Sequence, residues 1–486
     1  MEKVVFWAQR ALLAVLLALA AWHFALRIQM ITDHGVNLGG VEINVVYGAQ
    51  KILLGRPLYE DPEQPPFDVM QYSPLYYGLL AGVAKAVGVQ PEETYDLFVL
   101  SRTLALVLNL LTCWLVFTLC RALGCARWGG LAVALFSFVL YTDHFYGRGD
   151  ALYALLFVAA LLVHARVLGK AGPRDMVIAA LLSVACVLAK QTGALVIGII
   201  GVDLLVRRAW RELRVYTIAV LAAGAVAALV IAASASGPFF LKNAVQGLAN
   251  GIAPSMYREF HDLATYKYYA PMHIALLLLV VRGFRKGDAQ DRFLSAAMAL
   301  SIAFGGLTAF KSGSNLNYLY EAHVLVSIAA MRLVRRSQGW LSMAPLLVML
   351  AFAQHRTRLL HKRVGDTVER EGHEAAHRSD IAVHRALVNE LGLRPEDKVL
   401  ITYRGHLELL LNGQGLIAQK DVIQWSVRET YDLSEFLRMM DAGEVRYVIG
   451  ESPRDTLQFR GHVWTPITTV LEVDGRYVQQ VLGAVR

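Results

Sequence analysis

The chain has 486 residues, 56% of them hydrophobic and only 18% charged, and its mean hydropathy is +0.44. Charged residues make up about 25% of a typical soluble domain, so the composition excludes an ordinary soluble protein and identifies an integral membrane protein. The net charge of +8 does not imply a nucleic-acid partner, because the basic residues fall in short clusters between apolar runs, as topological anchors do.

In chain order, Lys3 and Arg10 precede the apolar run Ala11 to Trp22, and Ala18-Leu19-Ala20 has the small-residue pattern of a cleavage site. Because many apolar runs follow, this one reads as an uncleaved signal anchor, and either reading places Arg27 onward outside the cytoplasm. Stretches long enough to cross a bilayer, which takes roughly 17–25 residues, fall at 4–25, 97–120, 128–143, 149–166, 175–190, 191–206, 214–235, 270–283, 292–310, 318–334 and 338–355, about eleven spans. With a cytoplasmic N-terminus every inner loop is short and basic, from Arg121 and Arg127 to Arg332, Arg335 and Arg336. The outer segments are acidic, aromatic or tight, which satisfies the positive-inside rule and leaves the C-terminus outside.

The fold expected is therefore an α-helical polytopic membrane protein with a small C-terminal extracytoplasmic α/β domain. Residues 1–358 form the transmembrane domain, including outer-loop amphipathic helices at 27–96, and 359–486 form the outer domain. In that tail, strand-like "KVLITY", "VRYVIG" and "VLEVDGRYVQQVL" alternate with helix-like "SDIAVHRALVNELG" and "DLSEFLRMMDAG". There is no Walker A sequence and no GxGxxG opening a helix after a strand, so nothing points to ATP or a dinucleotide. The four cysteines, Cys113, Cys120, Cys125 and Cys186, lie in or beside apolar runs without CxxC spacing, which implies neither a disulfide framework nor a zinc site.

Charged residues near the bilayer carry the functional signal. Asp33 and Glu42 lie in the first outer segment, and Glu42 opens a stretch with apolar residues at Val45, Val46, Ala49, Ile52 and Leu53, the pattern of an amphipathic helix on the membrane surface. Capping competes with catalysis there, since an acid at a helix N-terminus is favoured by the dipole. The second outer loop holds Asp143, His144, Arg148 and Asp150, again open to a capping reading with Arg148 neutralising Asp150. Acids on two outer loops at the same membrane face would allow one to act as base while the other orients a nucleophile or binds a metal. Lys190 and Gln191 sit at the outer end of a span, where a lysine either snorkels to headgroups or faces a bound phosphate. The fourth outer loop places Lys311, Asn315, Asn317, Tyr320 and Glu321 together. Turn chemistry accounts for part of that loop, but not for Glu321 entering an apolar helix. Between 236 and 269, Arg258, His261 and Lys267 stand among interfacial aromatics, where cations suit an anionic headgroup.

Four motifs, "GGVEINVVYGAQKILLGRPLYEDP…QYSPLYYGLLA", "GRGDALYALLFVAALL", "LAKQTGALVIG" and "GSNLNYLYE", resemble in order and spacing the GT-C superfamily of polytopic glycosyltransferases. The nearest branch is the bacterial relatives of dolichyl-phosphate-mannose protein mannosyltransferases and of lipid A aminoarabinose transferases. The resemblance covers about residues 5–355, and the tail is similar to the outer domain of some members. It implies a sugar donor on a polyprenyl phosphate, a glycan, lipid or protein acceptor, and an acid in the first outer loop acting as general base, the place Glu42 occupies. Relatives often carry an adjacent Asp-Glu pair or a lone Asp where this chain has Val41-Glu42, so Asp33 is the second candidate. Asp150 matches the family's second outer-loop acid, and Lys190 and Gln191 match its "KQ".

Single displacement at the anomeric carbon, with inversion, would then pair a carboxylate base with cations on the leaving phosphate, in falling order Arg148, Lys190, Lys311, Arg258 and Lys267. Gln191, Asn317, Tyr320, Glu321, Tyr72 and His261 are the further substrate-binding candidates. No cofactor is fixed: some GT-C members use a divalent metal and others do without. Asp143, His144 and Asp150 offer suitable donor atoms but match no metal spacing. The expected location is the bacterial inner membrane. The rival class is a transporter or flippase for a lipid-linked sugar, against which stands the lack of an internal repeat with paired broken helices.

Overall fold

The computed structural model describes residues 2–38, 40–142, 146–168, 172–248, 251–252, 263–311, 316–335, 340–416, 430–453, 457–459, 462–464 and 467–481. The chain forms two compact units that interleave along the sequence: Met1–Met30, Thr103–Leu229 and Gly251–Gly365 make the first, and Ile31–Arg102, Val230–Asn250 and Asp366–Arg486 the second.

The first unit is helical. Each apolar stretch of the sequence is occupied by a helix, and four of these helices, Lys3–Ile31, Thr94–Ala122, Trp210–Ala233 and Ala289–Ala309, are long and apolar enough to cross a membrane by themselves. Several run beyond the expected limits: Leu263–Lys286 where 270–283 is apolar, and Ala344–Val364 where the apolar run ends at 355. A helix continues past its apolar part because backbone hydrogen bonding, unlike lipid contact, does not require apolar side chains. The helix Asp150–Arg166 packs on Pro173–Ala189, and Tyr320–Val334 packs on Arg127–Thr142 and Ala289–Ala309.

The tight "KQTG" has a steric cause. The chain leaves Pro173–Ala189, takes an extended residue at Lys190, and makes one 3₁₀ turn, Gln191–Gly193, before the helix Ala194–Val206. Gly193 meets the backbone of Cys186, and a Cβ there would lie 2.3 Å from the Cys186 carbonyl carbon. Only glycine allows the turn to close that tightly.

In the second unit, the helices Glu42–Leu53 and Pro74–Val87 pack together, with Gly48 accommodating the Tyr77 ring. The surface-lying helix expected for 42–53 is instead enclosed: every residue from Glu42 to Lys51 is buried. Lys51, on its polar side, is satisfied by Asp68 at 2.9 Å and Glu60 at 2.9 Å. Buried charge is tolerated when it is paired in this way.

The tail contributes a five-stranded sheet in the order β2-β1-β3-β7-β6, with β1 Lys398–Ile401, β2 Gly415–Leu416, β3 Val445–Gly450, β6 Ile467–Val473 and β7 Arg476–Val481. The strands β2, β1 and β3 pair in parallel, whereas β7 runs antiparallel to β3 and β6. A separate hairpin joins β4 Leu457–Phe459 to β5 His462–Trp464. Asp474-Gly475, with φ of 45° and 75°, closes the β6–β7 hairpin in the left-handed conformation such turns need. Phe67 and Val69 of the outer segment share a core with Leu400, Leu416, Phe436 and Trp464, so this segment and the tail fold as one body.

Candidate functional site

Two clusters of charged side chains stand out, one in each unit. In the first unit, Asp150 opens the helix Asp150–Arg166. Its Oδ1 accepts a hydrogen bond from Lys190 Nζ at 2.6 Å and another from Asn317 Nδ2 at 3.2 Å. Arg148 Nε lies 3.2 Å from Oδ2. The neutralising contact expected from Arg148 is therefore present, but it is one of three. Lys190 also stands over the Tyr318 ring, 5.0 Å from its centroid. Asp150, Tyr153, Lys190, Asn317, Tyr318 and Glu321 line one small cavity.

Lys311 pairs its backbone with Ile252. Partial burial and the neighbouring positive charge of Lys190 pull its ammonium down to about 8. An anion near these two lysines would reverse that shift by relieving their mutual repulsion. Among the described residues here, the cations Arg148, Lys190 and Lys311 outnumber the acids Asp150 and Glu321, which suits a bound phosphate.

Other candidates lie elsewhere. Tyr320, next to Glu321 in the sequence and about 100° around the helix from it, has its hydroxyl accepting from Arg356 at 3.4 Å beside the Tyr141 ring. Tyr72 is held in the second unit, its carbonyl accepting from the Tyr59 hydroxyl at 2.7 Å. Gln191 is half-buried in the 3₁₀ turn. Asp143, His144, Arg258 and His261 lie outside the described residues, and Lys267 contributes only its place in the helix Leu263–Lys286. Among the described residues no group of three or more His, Cys, Asp or Glu could hold a metal ion. Asp150 in particular has its carboxylate engaged by an ammonium, an amide and a guanidinium. The described residues do not fit a metal centre.

In the second unit, Glu42 is fully buried against Arg102. Its Oε2 accepts from Arg102 Nη2 at 3.1 Å and from the Leu38 amide at 2.9 Å, and its Oε1 from Arg102 Nε at 3.3 Å. The Glu42 amide in turn donates to Asn37 Oδ1 at 3.2 Å, a reciprocal arrangement close to a capping box. Gly40 and Val41 precede it with φ of 67° and 54°, and for a β-branched residue that conformation is strained. Arg102 also donates to the carbonyls of Asp33 and Gly35, tying Glu42 to the Asp33 turn.

Asp33 Oδ1 accepts from the Gly35 amide at 2.7 Å and faces His373 Nδ1 at 2.8 Å. Although burial opposes it, the hydrogen bond from His373, the Gly35 amide and the nearby cations His373 and Arg102 together hold the carboxyl of Asp33 below its usual value. Sequence reasoning missed Arg102 and His373. The first carries a signal, a lone arginine in an apolar run. The second lies on the polar half of the helix Thr367–Asn389, with no pattern to mark it.

No protein-family model matches the chain, and no curated protein matches it in sequence. Among solved structures, it is similar to ArnT from Cupriavidus metallidurans bound to undecaprenyl phosphate, with a TM-score of 0.61 at 14% identity over 95% of this chain and 97% of that one. It is also similar to the Archaeoglobus fulgidus oligosaccharyltransferase in complex with Zn and sulfate, with a TM-score of 0.59 at 13% identity over 90% of this chain and 68% of that one. The oligosaccharyltransferase AglB from Archaeoglobus fulgidus, in complex with an inhibitory peptide and a dolichol-phosphate, matches with a TM-score of 0.55 at 13% identity over 90% of this chain and 69% of that one. The chain is a multi-pass membrane protein with the GT-C fold and a small C-terminal sheet.

Proposed function

We propose that the protein is a glycosyltransferase that moves a sugar from a polyprenyl-phosphate donor to an acceptor hydroxyl on the extracytoplasmic face, by a single displacement that inverts the anomeric centre. The observation that carries the reading is the meeting of Lys190 and Arg148 on Asp150, at 2.6 and 3.2 Å, with Lys311 near enough to Lys190 to feel its charge. The leaving polyprenyl phosphate gains negative charge as its bond to the sugar breaks, and preorganised cations in a site poor in water stabilise that charge most. Asp150, itself held by the Asn317 amide, accepts a direct hydrogen bond from Lys190, so the orientation of the lysine is set before substrate arrives. By resemblance to the GT-C superfamily, Glu42, with Asp33 as the second candidate, takes the proton of the attacking hydroxyl. The short basic inner loops support an N-terminus in the cytoplasm and residues 359–486 outside, in a bacterial inner membrane.

The test is turnover by the purified protein on a panel of short-chain polyprenyl-phosphate hexoses and pentoses. Wild type is expected to release polyprenyl phosphate, and Lys190→Ala to lose on the order of 10²–10³ in rate, the scale for removing one preorganised charge-stabilising donor. If no donor is consumed while fluorescent lipid-linked sugar crosses proteoliposome membranes, the protein is a flippase instead.

A further inference from the structure

Within the first unit, a groove of about 730 Å³ runs between the helices Pro173–Ala189 and Trp210–Ala233. It is lined by valine, leucine, isoleucine and alanine alone, from Val177 to Leu188 on one helix and from Val215 to Ala227 on the other. Tyr216 is the one buried residue of Trp210–Ala233, and its hydroxyl lies 2.9 Å from that of Ser183, tying the two helices together. Four alanines, Ala219, Ala222, Ala223 and Ala227, keep the wall of the second helix low. Such a lining offers no side-chain hydrogen bond, so what packs into it is a hydrocarbon chain. From Val215 to Ala227 the groove extends about 18 Å at about 1.5 Å per residue. That is the reach of an acyl chain in one leaflet of a hydrocarbon core about 30 Å thick.

Charge distinguishes the two ends of the groove. Arg174 precedes Val177 by three residues and Arg211 precedes Val215 by four, spacings that put both arginines on the helix faces that line the groove. Both are exposed, as is Arg214. None of the three is held by an ion pair among the described residues, whereas Arg207 nearby is engaged by Asp203 at 2.7 Å. Helical side chains lean toward the N-terminus of their helix, so these arginines extend away from the groove toward headgroup level. The acids of the same turns are two: Asp175, which accepts from the Gly172 amide at 3.0 Å, and Glu212. At the opposite end Leu188 is two residues from Lys190, but that lysine is buried and bonded to Asp150.

We propose that the groove is a binding site for an anionic phospholipid, with one acyl chain between the two helices and the phosphate at Arg174 and Arg211. Basic positions at the membrane ends of helices recognise anionic headgroups in this way. With the sidedness proposed above, the lipid belongs to the cytoplasmic leaflet, opposite the face assigned to sugar transfer. The lipid braces Trp210–Ala233, a helix with few protein contacts of its own, against the rest of the unit.

The test compares dioleoylphosphatidylglycerol with dioleoylphosphatidylcholine, which share their acyl chains and differ in net charge. Each is titrated into the full-length protein in neutral detergent. Native mass spectrometry counts the lipids retained, and the unfolding midpoint reports their binding. Phosphatidylglycerol should bind more tightly by about tenfold or more and raise the midpoint further. Arg174→Gln and Arg211→Gln should each weaken it by about fivefold with phosphatidylcholine unchanged, while Arg174→Lys and Arg211→Lys retain it. Ala222→Phe, which fills the groove, should weaken both lipids.

Equal affinity for the two lipids, or a preference that survives both glutamine changes, overturns the proposal. So does an Ala222→Phe variant that binds phosphatidylglycerol as wild type does, since the chain then lies elsewhere. A short-chain polyprenyl phosphate that displaces phosphatidylglycerol and is indifferent to the arginine changes gives the groove to the donor's tail instead. A particle of two chains retaining no lipid gives it to a second copy. If a variant with both arginines replaced fails to fold, the single changes and Ala222→Phe decide. Turnover of the sugar donor is not a readout here, so this inference and the transfer reading stand or fall separately.

Discussion

At the scale of single residues, the acids legible in the sequence turn out to have different jobs. Glu42 is marked by its place at the start of a helix, yet burial against Arg102 makes it the anchor of a buried ion pair. Breaking such a pair by removing one partner costs about 3–5 kcal/mol, because the other charge stays buried and uncompensated. Glu42→Gln is therefore expected to lower the thermal unfolding midpoint by several degrees, measured by intrinsic fluorescence in detergent, whatever it does to turnover. Asp33 and His373 make a second, pH-dependent contribution. The raised His373 stabilises the fold fully below its unfolded value of 6.5, and this is lost as pH rises through the folded value. The depressed Asp33 stabilises above 3.8, and this is lost as pH falls through its folded value. The unfolding midpoint of Asp33→Asn should fall furthest below wild type at about pH 5–6, and the gap should narrow toward about pH 9 without closing, since the Gly35 amide and Arg102 still act on the carboxylate there. A gap that does not vary with pH would remove the ion pair from the account.

At the scale of elements, the apolar helices were readable because lipid and core alike demand apolar residues over a span's length. Their ends were less readable, as Ala344–Val364 demonstrates by running into the charged "HRTRLLHKRV". The amphipathic pattern of 42–53 identified a helix correctly but not its environment: its polar face meets Asp68 and Glu60 instead of water, and no sequence period distinguishes the two. The turn at Gly193 offers a sharp check. Gly193→Ala would drive a Cβ into the Cys186 backbone, whereas Gly198, in the helix that follows, has nothing within 4 Å of where a Cβ would sit. Gly193→Ala should reduce the yield of folded protein and its unfolding midpoint, while Gly198→Ala should be neutral or stabilising by about 0.5–1 kcal/mol. Equal behaviour of the two variants would contradict the steric account of the "KQTG" turn.

At the scale of the whole molecule, the sequence suggested one cut near residue 358, whereas compactness follows two interleaved units in which the first outer segment folds with the tail. Sidedness is testable directly, since the native cysteines are buried or half-buried. A cysteine replacing the exposed Glu396 should react with a membrane-impermeant maleimide in intact spheroplasts, and one replacing the exposed Arg211 only after permeabilisation. The reverse pattern would invert the topology and with it the face on which transfer is proposed.

The sequence by itself determined the membrane character, the helical segments, the α/β nature of the tail and the acids and lysines worth inspecting. Hydropathy, charge bias and strand alternation are local properties, and a window of about twenty residues contains them. Tertiary structure alone decided which charges meet: Asp150 with Lys190 and Asn317, Glu42 with Arg102, and Asp33 with His373. These partners are separated by 40 to 340 positions. A hydrogen bond depends on a few ångströms of space that chain distance does not encode, so a histidine on a polar helix of the tail became visible as a partner of Asp33 only once the chain was folded.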